Sequence, residues 1–357
     1  MRVWAYGFRE DSGLFMKKFS IIIPCYNVEK YIEGCLDSIL NQVSRDDDIE
    51  ILAVDDASTD NTVNILKRYE EEYPEVICLI ILEDNGRQGR ARNIALSYAS
   101  GEYIVFIDGD DLVSKNMFNT FRRITENSEY DIVQFRYGMF MDDASLEKLK
   151  ASEDDDYVVK VYDYQENRKN YLLNSAILNE SCTQKIYKRE LITKSGVRFA
   201  EGCAYEEPLF TYPLKYYVNK IVVIDKVLYY YRANPTGTSI EYMSNPATIT
   251  DHLMVQLKLR EFMDQCEASY GHEDEKDLYF LHSFCYEPLY FMKSRNMEIQ
   301  VEIWSYIKNM TKKILPAYFN NKYLNDSSLE KEKIVFDLLD DSISDDEAVL
   351  VLNSISL

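Results

Sequence analysis

The sequence predicts an α/β protein in which helices flank a mostly parallel sheet and an all-helical region follows. Short runs of β-branched and aromatic residues recur through the first half of the chain, separated by polar turns and by stretches with helical spacing of apolar residues. Strands and helices that alternate at such short spacing are typical of parallel strands joined by right-handed crossovers. Beyond residue 246 the apolar spacing is helical throughout, which predicts the C-terminal region.

Four strands open the predicted sheet, and their order determines where a ligand binds. They are predicted at residues 19–23, 49–54, 76–82 and 103–107, with helices between them at 28–40, around 63–69, and at 90–98. The common order 3-2-1-4 makes the first and fourth strands neighbours and creates a ligand crevice at their carboxyl ends.

The later elements are less regular. Strands are predicted at 131–137, 158–161 and 183–187, and helices at 117–124, 164–173, 188–194 and 204–218. Residues 221–224 and 227–231 are predicted to form a hairpin, and the acidic stretch 141–156 a solvated loop. The C-terminal helices are predicted at 247–266, 276–293, 299–319, 329–339 and 345–352.

Composition excludes several classes of protein. The 357 residues carry a formal net charge of -21, which argues against nucleic acid as a partner and against general attachment to anionic lipids. Seven cysteines are scattered without a C-x-x-C pair, which predicts reduced thiols rather than a zinc site. The first 14 residues lack the apolar core of a signal peptide. We therefore expect a cytoplasmic protein, and action at the inner face of the membrane stays open.

A cluster of acids directly follows the fourth strand. Asp108, Asp110 and Asp111 surround Gly109 after five apolar or aromatic residues. Carboxylates packed at a strand end repel each other unless a cation lies among them, and hard oxygen ligands suit Mg²⁺ or Mn²⁺. The hypothesis is a divalent-metal site that receives a nucleotide diphosphate. The alternative is an ordinary acidic turn with a helix N-cap.

Polar residues also follow the first and second strands. Tyr26 and Asn27 come after the first, and Asp55 and Asp56 after the second. With the order 3-2-1-4 these residues and the acid cluster face one crevice. Separate solvated loops do not explain why acids gather at two strand ends beside it.

Four motifs together resemble those of the family 2 glycosyltransferases, bacterial surface-polysaccharide type, with the GT-A (Rossmann-like) fold. They are residues 20–27, residues 54–60, Asn85 with Gly89, Arg92 and Asn93, and residues 101–111. The match covers about 19–112 and continues more loosely to about 239. The resemblance implies transfer of a sugar from a nucleotide-activated donor, most simply a UDP-sugar, to an acceptor hydroxyl with inversion at the anomeric carbon.

The resemblance also implies roles for individual residues. Those implied in nucleotide-sugar binding are Pro24, Tyr26, Asn27, Asp55, Asp56, Asn85, Gly89, Arg92 and Asp108. Among these, Asp56 accepts a hydrogen bond from the base, and Arg92 approaches the diphosphate or braces the acid cluster. The implied metal ligands are Asp110 foremost, Asp108 and Asp111, and the implied ion is Mn²⁺ or Mg²⁺.

The catalytic base follows from a second resemblance. The family places it in a Glu-Asp pair at a helix start, and the matching residues here are Glu206 and Glu207. Glu207 is the predicted base and Glu206 the reserve, although Glu207 is one methylene longer than the family's Asp. Two acids that merely favour a helix N-terminus are the alternative. Arg232 is a candidate for phosphate or for bracing on aromatics, and Lys185 a weaker candidate on the acceptor side.

The predicted organisation is an N-terminal extension at 1–18, a catalytic domain at 19–245 and a helical domain at 246–357. The catalytic domain divides into a nucleotide-sugar half, 19–112, and an acceptor half, 113–245. The expected partners are a nucleotide-sugar and a glycan or lipid-linked acceptor, with the helical domain meeting a membrane or a second copy of the chain. Two alternatives stay open: a degenerate scaffold protein, and a sugar nucleotidyltransferase, whose usual glycine-rich first loop is missing here.

Overall fold

The computed structural model describes residues 4–5, 17–43, 48–126, 128–151, 157–173, 177–234, 245 and 247–357. The chain divides into two compact units, Met1–Ile240 and Glu241–Leu357, and each has an apolar core of its own. The predicted loop at 232–246 falls mostly outside the described residues, as do the acids 153–156 and most of the predicted extension at 1–18.

The first unit is built on one mixed sheet. Its described strands are β1 (Trp4–Ala5), β2 (Phe19–Cys25), β3 (Ile49–Asp55), β4 (Ile77–Ile81), β5 (Tyr103–Phe106), β6 (Leu112–Val113), β7 (Ile132–Phe140), β8 (Val159–Asp163), β9 (Lys185–Lys188) and β10 (Lys220–Arg232). They are ordered β1-β4-β3-β2-β5-β9-β7-β10-β6, and β8 pairs with β10. Strand β2 runs parallel to β3 and β5, and β3 parallel to β4, so the predicted order of the first four strands is confirmed.

Helices connect these strands and cover the sheet. In the first unit they are α1 (Ile32–Leu40), α2 (Thr62–Glu72), α3 (Arg87–Tyr98), α4 (Met117–Thr125), α5 (Asp143–Ala151), α6 (Tyr164–Leu172), α7 (Arg189–Ser195) and α8 (Glu207–Tyr217). Most match the predicted positions within a few residues. The acidic stretch predicted as a loop instead contains α5, where Leu146 packs against the sheet cluster around Phe140.

The predicted hairpin is wrong. Residues 220–232 form a single strand, β10, which runs parallel to β7 throughout. Its register shifts after Ile224 and again after Val227, so Asp225 and Lys226, which favoured a turn, lie in a bulge instead. The bulge exposes Asp225, which pairs with Arg136 at 2.9 Å on the neighbouring strand.

The second unit is helical, as predicted. Its helices are α9 (Ala247–Gln265), α10 (Glu273–Phe280), α11 (Glu287–Ser294), α12 (Val301–Ile314), α13 (Glu330–Asp337) and α14 (Asp345–Ser354). A π-helical turn at Leu281–Tyr286 joins α10 to α11, and α12 ends earlier than predicted because Pro316 disfavours helix at the preceding residue. Within the described residues, none of the helices is long and apolar enough to cross a membrane.

Candidate active site

The loops after β2 and β3 are joined to each other at the carboxyl edge of the sheet. Asn27 Oδ1 accepts a hydrogen bond from the backbone N–H of Thr59 at 2.8 Å, and the backbone N–H of Asn27 donates to Ser58 Oγ at 3.0 Å. Asn27 therefore positions the Asp55–Asp56 loop. Tyr26 lies beside it and is about half exposed, at 48%.

Asp55 and Asp56 are buried carboxylates with unused acceptor atoms. Asp56 Oδ1 accepts the Gly86 amide at 2.9 Å, and Asp55 Oδ2 accepts the Ser58 amide at 3.1 Å. Among the described residues, Asp55 Oδ1 and Asp56 Oδ2 have no partner. Burial raises the pKa of both carboxyls. A buried unpaired acceptor is costly, so these atoms suit a ligand that brings an N–H or O–H donor.

The three acids after β5 have different surroundings. Asp111 is buried, and its two oxygens accept from the Tyr229 hydroxyl at 2.6 Å and the Arg232 amide at 2.7 Å. Asp108 and Asp110 are both partly exposed, and Asp110 Oδ2 accepts a longer hydrogen bond, of 3.3 Å, from Asn234. Burial, and then the neighbouring Asp108 charge, raise the pKa of both Asp110 and Asp111.

A divalent cation fits Asp108 and Asp110. The described residues hold no cluster of three or more His, Cys, Asp or Glu side chains arranged for a metal, so a cation here needs other ligands too. Mg²⁺ typically takes one or two carboxylates and completes its shell with phosphate and water. Burial first, and then the Asp108 charge, raise the pKa of Asp110, and a nearby cation would favour its ionised form. Asp111, whose oxygens are already hydrogen-bonded, stays a predicted ligand only.

Arg92 connects residues 108–111, the acid turn, to the start of α8. Its guanidinium is 1% exposed and donates from one nitrogen to Asp108 Oδ1 at 2.7 Å and from the other to Glu206 Oε1 at 2.5 Å. Gln88 also donates to Glu206 Oε1, at 2.6 Å. Of the two roles predicted for Arg92, these contacts correspond to bracing the acid cluster.

Gly89 in α3 and Asn85 in the loop before α3 determine the course of the backbone around them. A Cβ at Gly89 would lie 2.0 Å from the Ala200 carbonyl oxygen, so only glycine permits this approach. Asn85 donates to the Asp56 carbonyl at 3.1 Å and accepts from the Arg87 amide at 3.3 Å, which holds the loop before α3. Pro24 lies within β2, and its carbonyl faces Gly109 of the acid turn.

Glu207 is the first residue of α8. It is half-buried, and its Oε1 accepts a hydrogen bond from the Cys182 amide at 2.7 Å. Phe210, one turn further, stacks on Phe199 at 4.2 Å and meets the edge of Phe106 at 5.4 Å. Because Phe106 ends β5, this packing fixes the helix relative to the acid turn.

Strand β10 pairs with β6, which follows the acid turn, and Tyr229 on β10 contacts that turn. The sequence did not predict a role for Tyr229. Its hydroxyl accepts from the Asp108 amide at 3.1 Å while donating to Asp111. Arg232 Nε donates to the Asp110 carbonyl at 2.8 Å, and its guanidinium lies over the rings of Tyr31 and Phe140. Arg232 therefore has the aromatic brace that was one of its two predicted roles.

Backbone strain concentrates around these residues. Five non-glycine residues in the described part of the chain have positive φ; one of them is a predicted site residue and three more lie within two residues of one. These four are Asn27 (53°), Ala57 (61°), Arg87 (64°) and Tyr205 (59°). Such conformations cost about 1–3 kcal/mol each and cluster at ligand sites, where surrounding contacts enforce them.

The fold and the site define a class of protein: an α/β fold of the GT-A type with an acidic turn at the carboxyl ends of its parallel strands. Residues 20–196 match the model of the family described as glycosyl transferase family 2. An uncharacterized glycosyltransferase, EpsJ of Bacillus subtilis, is 30% identical over 255 residues, 68% of each chain. The chain belongs to glycosyltransferase family 2, as its motifs predict.

Several other relatives are longer proteins. A poly(ribitol-phosphate) β-glucosyltransferase of Bacillus spizizenii is 32% identical over 228 residues, 64% of this chain and 33% of that protein. The chain thus spans about a third of that relative's length. The crystal structure of Staphylococcus aureus TarS 1-349 in complex with UDP-GlcNAc superposes with a TM-score of 0.72 at 23% identity, covering 94% of this chain and 90% of the other. This likeness supports the GT-A fold.

Proposed function

We propose that the protein is an inverting glycosyltransferase that moves a sugar from a UDP-sugar to a hydroxyl of a bacterial surface glycan. The observation that carries the proposal is the two-ended ion pair of Arg92, which joins Asp108 on the acid turn to Glu206 beside the predicted base. The acid turn of the proposed donor site is therefore joined through Arg92 to the residue directly before the proposed base.

The donor is held at the ends of β2, β3 and β5. Asp56 Oδ2, which is buried and has no hydrogen-bond partner among the described residues, accepts a hydrogen bond from the nucleobase, and Tyr26 and Asn27 line the base and ribose. Asp108 and Asp110 would hold Mn²⁺ or Mg²⁺. When bound, the cation stabilises the charge that develops on the leaving diphosphate.

Glu207 acts as the general base. A hydroxyl is a poor nucleophile, so a carboxylate must remove its proton on the face opposite the leaving group. The Cys182 amide fixes Oε1 of Glu207, which orients the carboxylate. Glu206 is less suited to this role because Arg92 and Gln88 already occupy its Oε1 in a buried position.

The relatives suggest the donor and the acceptor. TarS of Staphylococcus aureus, whose name describes a poly(ribitol-phosphate) β-N-acetylglucosaminyltransferase, is 31% identical over 232 residues. The proposed donor is accordingly UDP-GlcNAc or UDP-glucose, and the proposed acceptor a ribitol-phosphate polymer or a related lipid-linked glycan. Cytoplasmic action at the inner face of the membrane belongs to the same proposal, as does a catalytic domain at 19–245.

The test is transfer from UDP-GlcNAc or UDP-glucose to poly(ribitol phosphate) in the presence of Mn²⁺, followed by NMR of the product linkage. We expect a β-linkage from the α-linked donor. Glu207→Gln should lower the rate about 10²–10⁴-fold, the usual range for a lost general base. Glu190→Gln, at an exposed carboxylate on α7, is the control and should retain the rate. Nucleotide binding without transfer to this or other polyol-phosphate and glycan acceptors would favour the scaffold alternative.

A further inference from the structure

A fully buried lysine lies behind the proposed base. Lys185 on β9 is 0% exposed, and its Nζ donates to Asn179 Oδ1 and to the Ser181 carbonyl. Both acceptors are neutral, so they compensate the burial of the charge only in part. A side chain needed only for packing would avoid this cost, which suggests that the charge has another use.

The carbonyl that Lys185 contacts belongs to the peptide bond whose N–H holds Glu207. Ser181 supplies the C=O that accepts from Nζ, and Cys182 supplies the N–H that donates to Glu207 Oε1 at 2.7 Å. In a planar trans peptide these two groups point in opposite directions, so one rigid unit lies between the ammonium and the carboxylate.

We propose that Lys185 is a positioning residue that acts on Glu207 through the Ser181–Cys182 peptide. This inference rests on the proposed function, in which Glu207 is the base. The ammonium polarises the carbonyl and thereby strengthens the opposite N–H as a donor, since hydrogen bonds in a chain polarise one another. The stronger donor holds Oε1 of Glu207 and orients the carboxylate toward the acceptor.

Further hydrogen bonds hold residues 179–182, the segment that contains the Ser181–Cys182 peptide. The Tyr187 hydroxyl donates to the Cys182 carbonyl at 3.3 Å, so β9 holds the segment at a second point. The Asn179 amide donates to Gln134 Oε1 on β7 at 3.3 Å. Burial lowers the pKa of Lys185 to about 7, while Glu207, Cys182 and Glu180 raise it and Lys215 lowers it further. Among these neighbours, Glu207 contributes most to the charged form of Lys185.

The experiment compares Lys185→Met with wild type in the transfer assay with UDP-GlcNAc and poly(ribitol phosphate). We expect kcat to fall about 10²-fold, as a misplaced catalytic group does, with the KM for both substrates and the Kd for UDP unchanged. The melting temperature should stay the same or rise, because a buried charge is removed. Lys215→Met is the matched control, since it removes another buried ammonium, on α8, and kcat should stay within about twofold.

A double variant distinguishes this inference from the proposed function. If Lys185 acts through Glu207, Lys185→Met should cause no further loss in the Glu207→Gln background, measured in single turnovers. Full activity of Glu207→Gln would overturn the base assignment itself. An inactive Glu207→Gln with a fully active Lys185→Met would overturn only the positioning role.

Two other outcomes also contradict the positioning role. A parallel loss of kcat, UDP affinity and melting temperature in Lys185→Met would make the side chain structural. Lys185→Gln, which retains a donor without the charge, is the second variant and should show the same selective loss of kcat. Failure of both variants to fold would likewise mean that Lys185 supports the fold rather than the base.

Discussion

At the scale of single residues, Gly89 lies where α3 touches the segment that leads into α8. A methyl group there would collide with the Ala200 carbonyl and press on Glu206. Gly89→Ala should therefore lower the free energy of unfolding by about 1–3 kcal/mol, the usual cost of overpacking, as measured by urea denaturation.

Gly34 provides the matched control for that substitution. It lies within α1, and an added Cβ would meet Leu112 at an ordinary 3.5 Å. Gly34→Ala should leave the protein as stable as wild type or more stable by about 0.5–1 kcal/mol, since alanine favours a helix interior. Equal effects of the two substitutions would argue against a close approach at Gly89.

The two glutamates at the start of α8 should respond differently to neutralisation. Glu206→Gln removes a charged partner of the buried Arg92 and should cost about 1.5–3 kcal/mol of unfolding free energy. Glu207→Gln keeps an acceptor for the Cys182 amide and should cost less than about 1 kcal/mol. Urea denaturation of both variants tests this, and a larger loss in Glu207→Gln would reverse the roles assigned to the pair.

At the scale of elements, the acid turn should make stability fall as pH rises. Burial and Asp108 raise the pKa of Asp110 in the folded state above its unfolded value of about 3.9. The folded protein then binds more protons, so above about pH 4 this group costs stability until the pH passes the folded pKa. In metal-free protein, Asp110→Asn should raise the melting temperature at pH 8, and the gain should shrink toward pH 4.

Asp340 is a control whose pKa is shifted in the opposite direction, so its effect on stability has the opposite pH dependence. Hydrogen bonds from Ser342 lower its pKa, so its ionised form stabilises the fold, and that contribution is lost as the pH falls. Asp340→Asn should reduce stability at pH 8, with a difference that disappears in acid. A gain for Asp110→Asn that stays constant from pH 4 to 8 would contradict the assignment of excess negative charge to the turn.

Strand β10 should be required for the shape of the acid turn. Tyr229→Phe removes the hydroxyl that joins the Asp108 amide to Asp111, and should cost about 1–3 kcal/mol of unfolding free energy and weaken Mn²⁺-dependent UDP binding. Tyr69→Phe also breaks a tyrosine–aspartate bond, of 2.8 Å to Asp37, but outside the site. Calorimetric titration should show weaker UDP binding for Tyr229→Phe alone.

Local patterns predicted the parts of the site that follow directly from strand ends. Buried strands followed at once by Asp55 and by Asp108 could be read from the sequence, and the parallel order brings them together. The contacts of Tyr229 with Asp111, 118 residues apart, could not be predicted, because no local pattern records which strand pairs with β6. The same holds for the amide of Cys182, since a backbone donor leaves no signal in residue type.

At the scale of the whole molecule, the predicted site residues all lie in the first unit. The hairpin predicted at 221–231 was wrong for a physical reason. Asp225 and Lys226 are typical of turns, but pairing with β7 continues on both sides of them and turns this stretch into a bulge within one strand. The helical pattern after residue 246 was sufficient to predict the second unit, since helix periodicity is a local property. Its packing around the buried Trp304 depends on contacts that the pattern does not contain.

The proposed function requires the crevice at the strand ends to bind a UDP-sugar with the help of a cation on Asp108 and Asp110. The most direct test is equilibrium unfolding of the purified chain with UDP or GDP, with and without Mn²⁺, for wild type and Asp110→Asn. We predict that UDP with Mn²⁺ stabilises the wild type by about 2.7 kcal/mol at a hundred times its Kd, that GDP does so much less, and that Asp110→Asn loses the effect. No stabilisation by UDP under either condition, or full stabilisation of Asp110→Asn, would contradict the claim.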